Sequence, residues 1–138
     1  MASEITHCGD VGSGQIVKLM NNMVLMQTVV ALAEALAIAG NAGMDRKLLL
    51  EALSKGSADS FALRNHAVKA MLPRVYPEDA FSTRYALKDL SYALALAQSV
   101  GVDASAARHA QTLYMRSAEA GHSEQYYPAI ADFIDPAR

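Results

Sequence analysis

Two lysines, Lys18 and Lys88, and one amide, Asn22, are the residues whose types and settings could support chemistry. No charged residue stands between Lys18 and Glu34, and Lys88 sits with Asp89 in a stretch from Tyr85 to Val102 that carries no other charge. A lysine beside low-dielectric surface has its ammonium form disfavoured, so its amine can take up and return a proton near neutral pH. Helical spacing stacks Gln15, Lys18 and Asn22 over two turns, and the row continues as Met26, Val29 and Val30. A short polar strip thus gives way to an apolar one. A snorkelling lysine and a satisfied amide at the edge of a buried helix would produce the same strip. Lys88 taken alone reads first as structural, an i,i+4 neighbour of Arg84, whose like charge matches it poorly, or a solvated residue. No Gly-x-Ser-x-Gly occurs, and His7, His66, His109, His122 and the lone Cys8 lack metal-ligand spacing, so no metal is expected. Gly9-x-x-Gly12-x-Gly14 has neither the spacing nor the βαβ surroundings of a complete dinucleotide loop.

The elements that must position these residues read as helices. The first should run from near Gly14 to Asn41, largely buried and roughly 40 Å long, with Gly40-Asn-Ala-Gly43 as its stop. Asp45 is a fair N-cap for a helix over about 46–55, with Leu48, Leu49, Ala52 and Leu53 inward. Ser57–Ser60 is a loop and cap before a third helix over about 61–72, ended by Pro73. The periodic stripe Tyr85, Leu87, Leu90, Leu94, Ala97 and Val100 marks a helix over about 81–99 that Gly101 closes. A helix over about 104–120 follows, with Asp103 or Ser105 as cap and Gly121 as stop, and Pro128 opens a last short one to Ile134. The fold class is therefore all-α, a single domain of five to six helices built around one long N-terminal helix. Glu4–Gly9 could be an extended segment, but no second strand follows to pair with it.

The totals exclude some partners. At 138 residues the chain can bury roughly two-thirds of its unfolded surface. A net charge of −2 with scattered basic residues gives no footprint for nucleic acid. Hydrophobic residues make up 52% and charged ones 19%, an apolar surplus best placed in a protein interface. The run from Met23 to Ile38 is short for a membrane span and is interrupted by Gln27, Thr28 and Glu34. With no signal-peptide pattern and one cysteine, the expected compartment is the cytoplasm, with no membrane partner.

Gly12-Ser-Gly14-Gln15, Lys18, Asn21-Asn22, Glu34-Ala-Leu36 and Gly43-Met-Asp45 closely resemble the start of the C-terminal domain of the β-hydroxyacid dehydrogenases. That family includes 3-hydroxyisobutyrate, tartronate-semialdehyde and 6-phosphogluconate-type enzymes. Phe81 and Leu87-Lys88-Asp89-Leu90 resemble its second motif, and Leu113-Tyr114 with Gly121 more weakly its third, so the likeness runs from about Ile5 to Ile134. The resemblance implies an all-α substrate and dimerisation domain over residues 12–138, preceded in residues 1–11 by the end of the last Rossmann strand and a linker. It implies Lys18 as the general acid/base, Asn22 orienting Lys18 and the substrate, and Gly14 at the substrate. Lys88 would help close the site around substrate and nicotinamide ribose, and Phe81 would line it. NAD or NADP would be the cofactor of the full enzyme, held by a Rossmann domain that this chain does not supply. The isolated chain is thus expected to bind no cofactor and to turn over nothing.

The implied substrate is a small hydroxy acid, and a homodimer or larger homo-oligomer is expected. Two departures stand out: Ala93-Leu-Ala-Leu-Ala97 carries no acid where the family often has one, and Tyr126 stands where an acid is common. The alternative of another class is a stand-alone all-α interaction module that keeps the oligomerising surface and does no chemistry.

Overall fold

A helix of 29 residues, α1 (Ser13–Asn41), forms the axis of the fold. The structure is a computed structural model in which residues 12–136 are described, and the expectations placed on residues 1–11 lie outside them. Around α1 pack α2 (Arg46–Leu53), a π-helix π1 (Leu63–Met71), α3 (Thr83–Ser99), α4 (Ser105–Ser117) and α5 (Ile130–Ile134). A short π-turn (Ala118–His122) extends α4, and a 3₁₀ turn (Tyr127–Ala129) leads into α5. Among the described residues there is no strand, only one isolated bridge between Ser82 and Tyr126. The all-α reading therefore holds.

Local chemistry explains most boundaries. α1 stops where Gly43 takes φ 94°, its N–H donating to Gly40 O at 3.1 Å while Met44 N–H reaches Ala39 O at 2.9 Å. Asp45 caps α2 by accepting from Leu48 N–H at 2.9 Å, and Ser60 Oγ accepts from Leu63 N–H at 3.0 Å. α4 departs from expectation: neither Asp103 nor Ser105 caps it, because Asp103 is drawn into an ion pair with Arg108. The third helix also differs. After Phe61 and Ala62 it widens, and Leu72 N–H donates to Ala67 O, five residues back, at 2.8 Å.

The core is centred on the middle of α1. Met26, Val29, Leu32, Ala33 and Leu36 meet Leu50, Leu63, Leu90, Tyr114 and Ile130, all nearly inaccessible. The Tyr114 hydroxyl donates to Met26 O at 2.7 Å inside this core, and burial holds the phenol far above its ordinary range, so it stays neutral. At the far end Arg46 pairs with Asp135 at 3.0 Å, and Arg74 with Asp132, fastening the end of α5 beside α1. Arg46 lies so close over Gly40 that a methyl group there would meet its guanidinium.

α1 is not the largely buried helix its composition implies. By length and hydropathy it would suffice to cross a membrane, longer than the interrupted run alone indicates, but it is the hub of this core instead. Its ends protrude, leaving Val17 53%, Val24 58% and Ile38 71% exposed. Two other expectations, about which side of a helix is buried, also fail. Leu48 faces out while Leu50 is buried, and α3 buries Thr83, Ala86, Leu90 and Ala93 while Tyr85 and Val100 lie exposed.

His66 on π1 is buried among the rings of Phe61, Tyr126 and Tyr127, with centroids 5.4–5.9 Å away. Desolvation lowers its pKa below the ordinary 6.5. The unfolded chain therefore binds a proton that the folded chain refuses once pH falls below about 6.5. Its contribution to stability is complete above that value and declines on acidification. Urea unfolding between pH 7.5 and 5.5 should show a fall of at most about 1.4 kcal/mol per pH unit from this group, removed in His66→Phe. A wild-type stability flat over that range would contradict it.

Candidate functional site

The start of α1 and the middle of α3 supply the site. Ser82 Oγ caps α3 by accepting from Tyr85 N–H at 3.2 Å, fixing where the helix begins. α3 runs antiparallel to α1, so Leu96 and Val100 near its end line a cleft with Ile16, Met20 and Met23. One turn further along this seam Asn22 Nδ2 donates to Asp89 Oδ2 at 2.8 Å, across 67 residues of sequence. Asn22 Oδ1 meanwhile accepts from Asn21 Nδ2 at 3.2 Å. A carboxylate only accepts, so the N–H end of the amide must face α3, and its carbonyl end is left on the α1 side.

The predicted residues are brought together in part. Asn22 does meet the Lys88-Asp89 segment, which is the long-range juxtaposition the two motifs require. Lys18 lies one turn before Asn22 on the same helical row, but it is exposed rather than in a dry cleft. The reason is that α3 closes on the Ile16, Met20 and Met23 side, which leaves the Lys18 side uncovered. No hydrogen bond or ion pair joins Lys18 to the described residues. Lys88 is likewise exposed beside Asp89.

Phe81 precedes α3 and continues its exposed row, with Tyr85 one turn on at 6.0 Å between ring centroids. Behind it Tyr127 packs edge-on at 5.8 Å, leaving Phe81 41% exposed. Burial, with Tyr126 adding to it, raises the Tyr127 phenol far above its ordinary range, so this backing stays neutral. The Arg84 guanidinium stands 4.7 Å over the Tyr85 ring. Gly14 sits in the first turn of α1, where an added Cβ would meet no atom within 4 Å. Nothing in the fold itself demands glycine there.

Asp89 and Tyr85 were missed as site residues. A signal for Asp89 was available: it is the one acid between Tyr85 and Val102, so a charge on the α1-facing side of α3 needed a partner. Among the described residues, no three His, Cys, Asp or Glu side chains gather as they would around a metal ion. Flanking the polar row is a groove of about 760 Å³ lined by Val17, Met20, Val24 and Phe61. The N-terminal part of α1 thus carries a polar row between two apolar flanks.

Comparison with known proteins identifies the setting of this arrangement. Residues 12–134 match the family model described as NAD-binding of NADP-dependent 3-hydroxyisobutyrate dehydrogenase. A probable 3-hydroxyisobutyrate dehydrogenase of Mycobacterium tuberculosis is 31% identical over 135 residues, covering 94% of this chain and 46% of that protein. A chloroplastic glyoxylate/succinic semialdehyde reductase 2 of Arabidopsis thaliana is 30% identical over 134 residues, covering 96% of this chain and 36% of that protein. The crystal structure of a 3-hydroxyisobutyrate dehydrogenase from Salmonella typhimurium superposes with a TM-score of 0.87 at 20% identity, covering 96% of this chain and 46% of that one. The M. tuberculosis 3-hydroxyisobutyrate dehydrogenase solved with L-serine gives 0.83 at 27% identity, covering 98% of this chain and 48% of that one. The chain thus spans less than half the length of these relatives. With the family model matched over nearly all of its described length, the chain belongs to the 3-hydroxyisobutyrate dehydrogenase family of oxidoreductases.

Proposed function

We propose that this chain is the all-α substrate-binding and oligomerisation portion of an NAD(P)-dependent 3-hydroxyacid dehydrogenase, and that it provides the catalytic lysine. The observation that carries the reading is the contact between Asn22 and Asp89, which brings the helical row of Lys18 and Asn22 to the segment that holds Lys88 across the α1–α3 seam. In this reading residues 12–138 form that portion, residues 1–11 belong to the connection to a Rossmann domain, and that domain is the principal partner.

The residues present suit the nicotinamide end of the cofactor. Phe81 offers a half-exposed aromatic face and Lys88 an exposed ammonium beside it on the same helical row. No strand is available among the described residues to build a βαβ phosphate site, so the rest of the dinucleotide belongs to the partner domain. When bound, the nicotinamide supplies hydride acceptance. The protein's own part is binding, orientation and the proton. The Lys18 amine takes the proton from the substrate hydroxyl as hydride leaves the adjacent carbon, and Asn22 holds both partners in register. Gly14 lets the substrate approach the uncapped first turn of α1, where backbone N–H groups favour an anion.

Because Lys18 is exposed in this chain, the low-dielectric setting its chemistry needs comes from the surfaces that cover it. The apolar flanks around Val17, Val24, Val100 and Val102 are the surfaces for such covering, by the Rossmann domain and by a second copy. These same flanks favour the second reading, an interaction module without chemistry.

Two substitutions separate the readings in the enzyme that joins this chain to its nicotinamide-binding domain. Lys18→Ala should lower kcat by about 10²- to 10⁴-fold while leaving cofactor affinity nearly intact. Unchanged turnover would remove the acid/base role and leave the module. Gly14→Ala should keep or raise the melting temperature, since helix propensity favours alanine by up to about 1 kcal/mol, yet raise the substrate KM. A KM that stays put would take Gly14 out of the site.

A further inference from the structure

We propose that Asp89 is a positioning residue that fixes which end of the Asn22 amide faces Lys18, forming an orienting chain of carboxylate, amide and amine. The inference rests on the role assigned to Lys18 above and extends it to a residue on the other helix. Asn22 is chemically two-ended: its Nδ2 donates and its Oδ1 accepts. Left alone, an amide at that point could present either end to its neighbours. With Nδ2 held by Asp89 Oδ2 at 2.8 Å, only the carbonyl end remains for groups on the α1 side. That end already accepts from Asn21 Nδ2 at 3.2 Å, and a carbonyl oxygen has a second lone pair to offer.

Lys18 stands four residues before Asn22, the spacing at which side chains on one helix meet. Its Nζ carries hydrogens in both the amine and the ammonium form, so it needs an acceptor from Asn22 in either state. A flipped amide would instead confront the amine with N–H groups and compete with the substrate hydroxyl for its lone pair. The carboxylate therefore sets the polarity of the amide, and the amide sets the direction of the amine. The contact is part-buried and bridges 67 residues of sequence, so it also ties the two site-bearing helices to each other at this level. Asn21, exposed and adjacent, adds a weaker hold on the same carbonyl oxygen.

The first arm of the test uses the 138-residue chain itself. In isotope-labelled protein, hydrogen exchange of an Asn22 Nδ2 proton should be several-fold slower in the wild type than in Asp89→Ala. Equal exchange overturns the contact. The second arm uses the enzyme that joins this chain to its nicotinamide-binding domain, each variant being compared at its own pH optimum. Asp89→Asn keeps the shape but permits the flip, and should lower kcat by about ten- to a hundredfold with little change in the KM for NAD(P). The exchanged pair Asn22→Asp with Asp89→Asn restores a donor on α3 and an acceptor on α1, and should recover most of that loss. An Asp89→Asn enzyme with unchanged kcat, or an exchanged pair no better than the single variant, overturns the proposal. Lys18→Ala run alongside keeps the two claims apart. If it abolishes turnover while Asp89→Asn does not, the lysine stands and the orienting chain falls; if it does not, the lysine's role itself is lost.

Discussion

Burial of α1 between Met26 and Leu36 is the constraint on which every other helix depends. That segment has apolar side chains on all sides of interest, and α2, π1, α3, α4 and α5 each cover part of it. Tyr114 adds direction to this otherwise unspecific burial, because its hydroxyl finds the Met26 carbonyl from the opposite side of the core. Once the middle is claimed, the first three turns must project beyond the core. They carry the polar row of Lys18 and Asn22 with them, and α3 follows far enough to touch it at Asn22.

That projection explains why the site is assembled and yet open. The Asn22–Asp89 hydrogen bond spans the seam and brings the two motif segments together, while Lys18 and Lys88 remain in contact with solvent. The proposed acid/base role asks for a drier setting than this, which other surfaces would complete. The flanks are built for covering: Val17 and Val24 on one side, Val100 and Val102 on the other, all more than half exposed. Part of the apolar surplus of the composition thus lies beside the Lys18–Asn22 row, and the rest is exposed elsewhere, as at Ile38, Leu48 and Val75.

Much of this was legible in the sequence, and the failures have physical causes. The long helix, its glycine stop, the Asp45 cap and the proline-led last helix follow from local backbone chemistry that tertiary packing did not override. The π-register of the third helix was not legible, because its buried set of Leu63, His66, Ala67, Ala70 and Met71 has the spacing an α-helix would show. The buried face of α3 was misread because size was taken as a sign of burial. Ala86 and Ala93 go inward where helices approach closely, and the larger Tyr85 and Val100 stay out. The candidate residues Lys18, Asn22, Lys88 and Phe81 rest on motif resemblance, and spacing alone does not choose them over a snorkelling lysine. The isolation of Asp89 in its stretch signals that it needs a partner, but not which one, since Asn22 lies 67 residues away on another helix and no local pattern carries that relation.

The claim at the centre is that a primary amine at position 18 moves the proton, and amine rescue tests it most directly. In the proposed enzyme, which joins this chain to a nicotinamide-binding domain, a Lys18→Ala variant would be assayed with added alkylamines of graded basicity. The account predicts saturable recovery of kcat that rises with amine basicity and vanishes for amines too large for the space. A variant that folds normally, binds NAD(P) and hydroxy acid, and gains nothing from any small amine would contradict it.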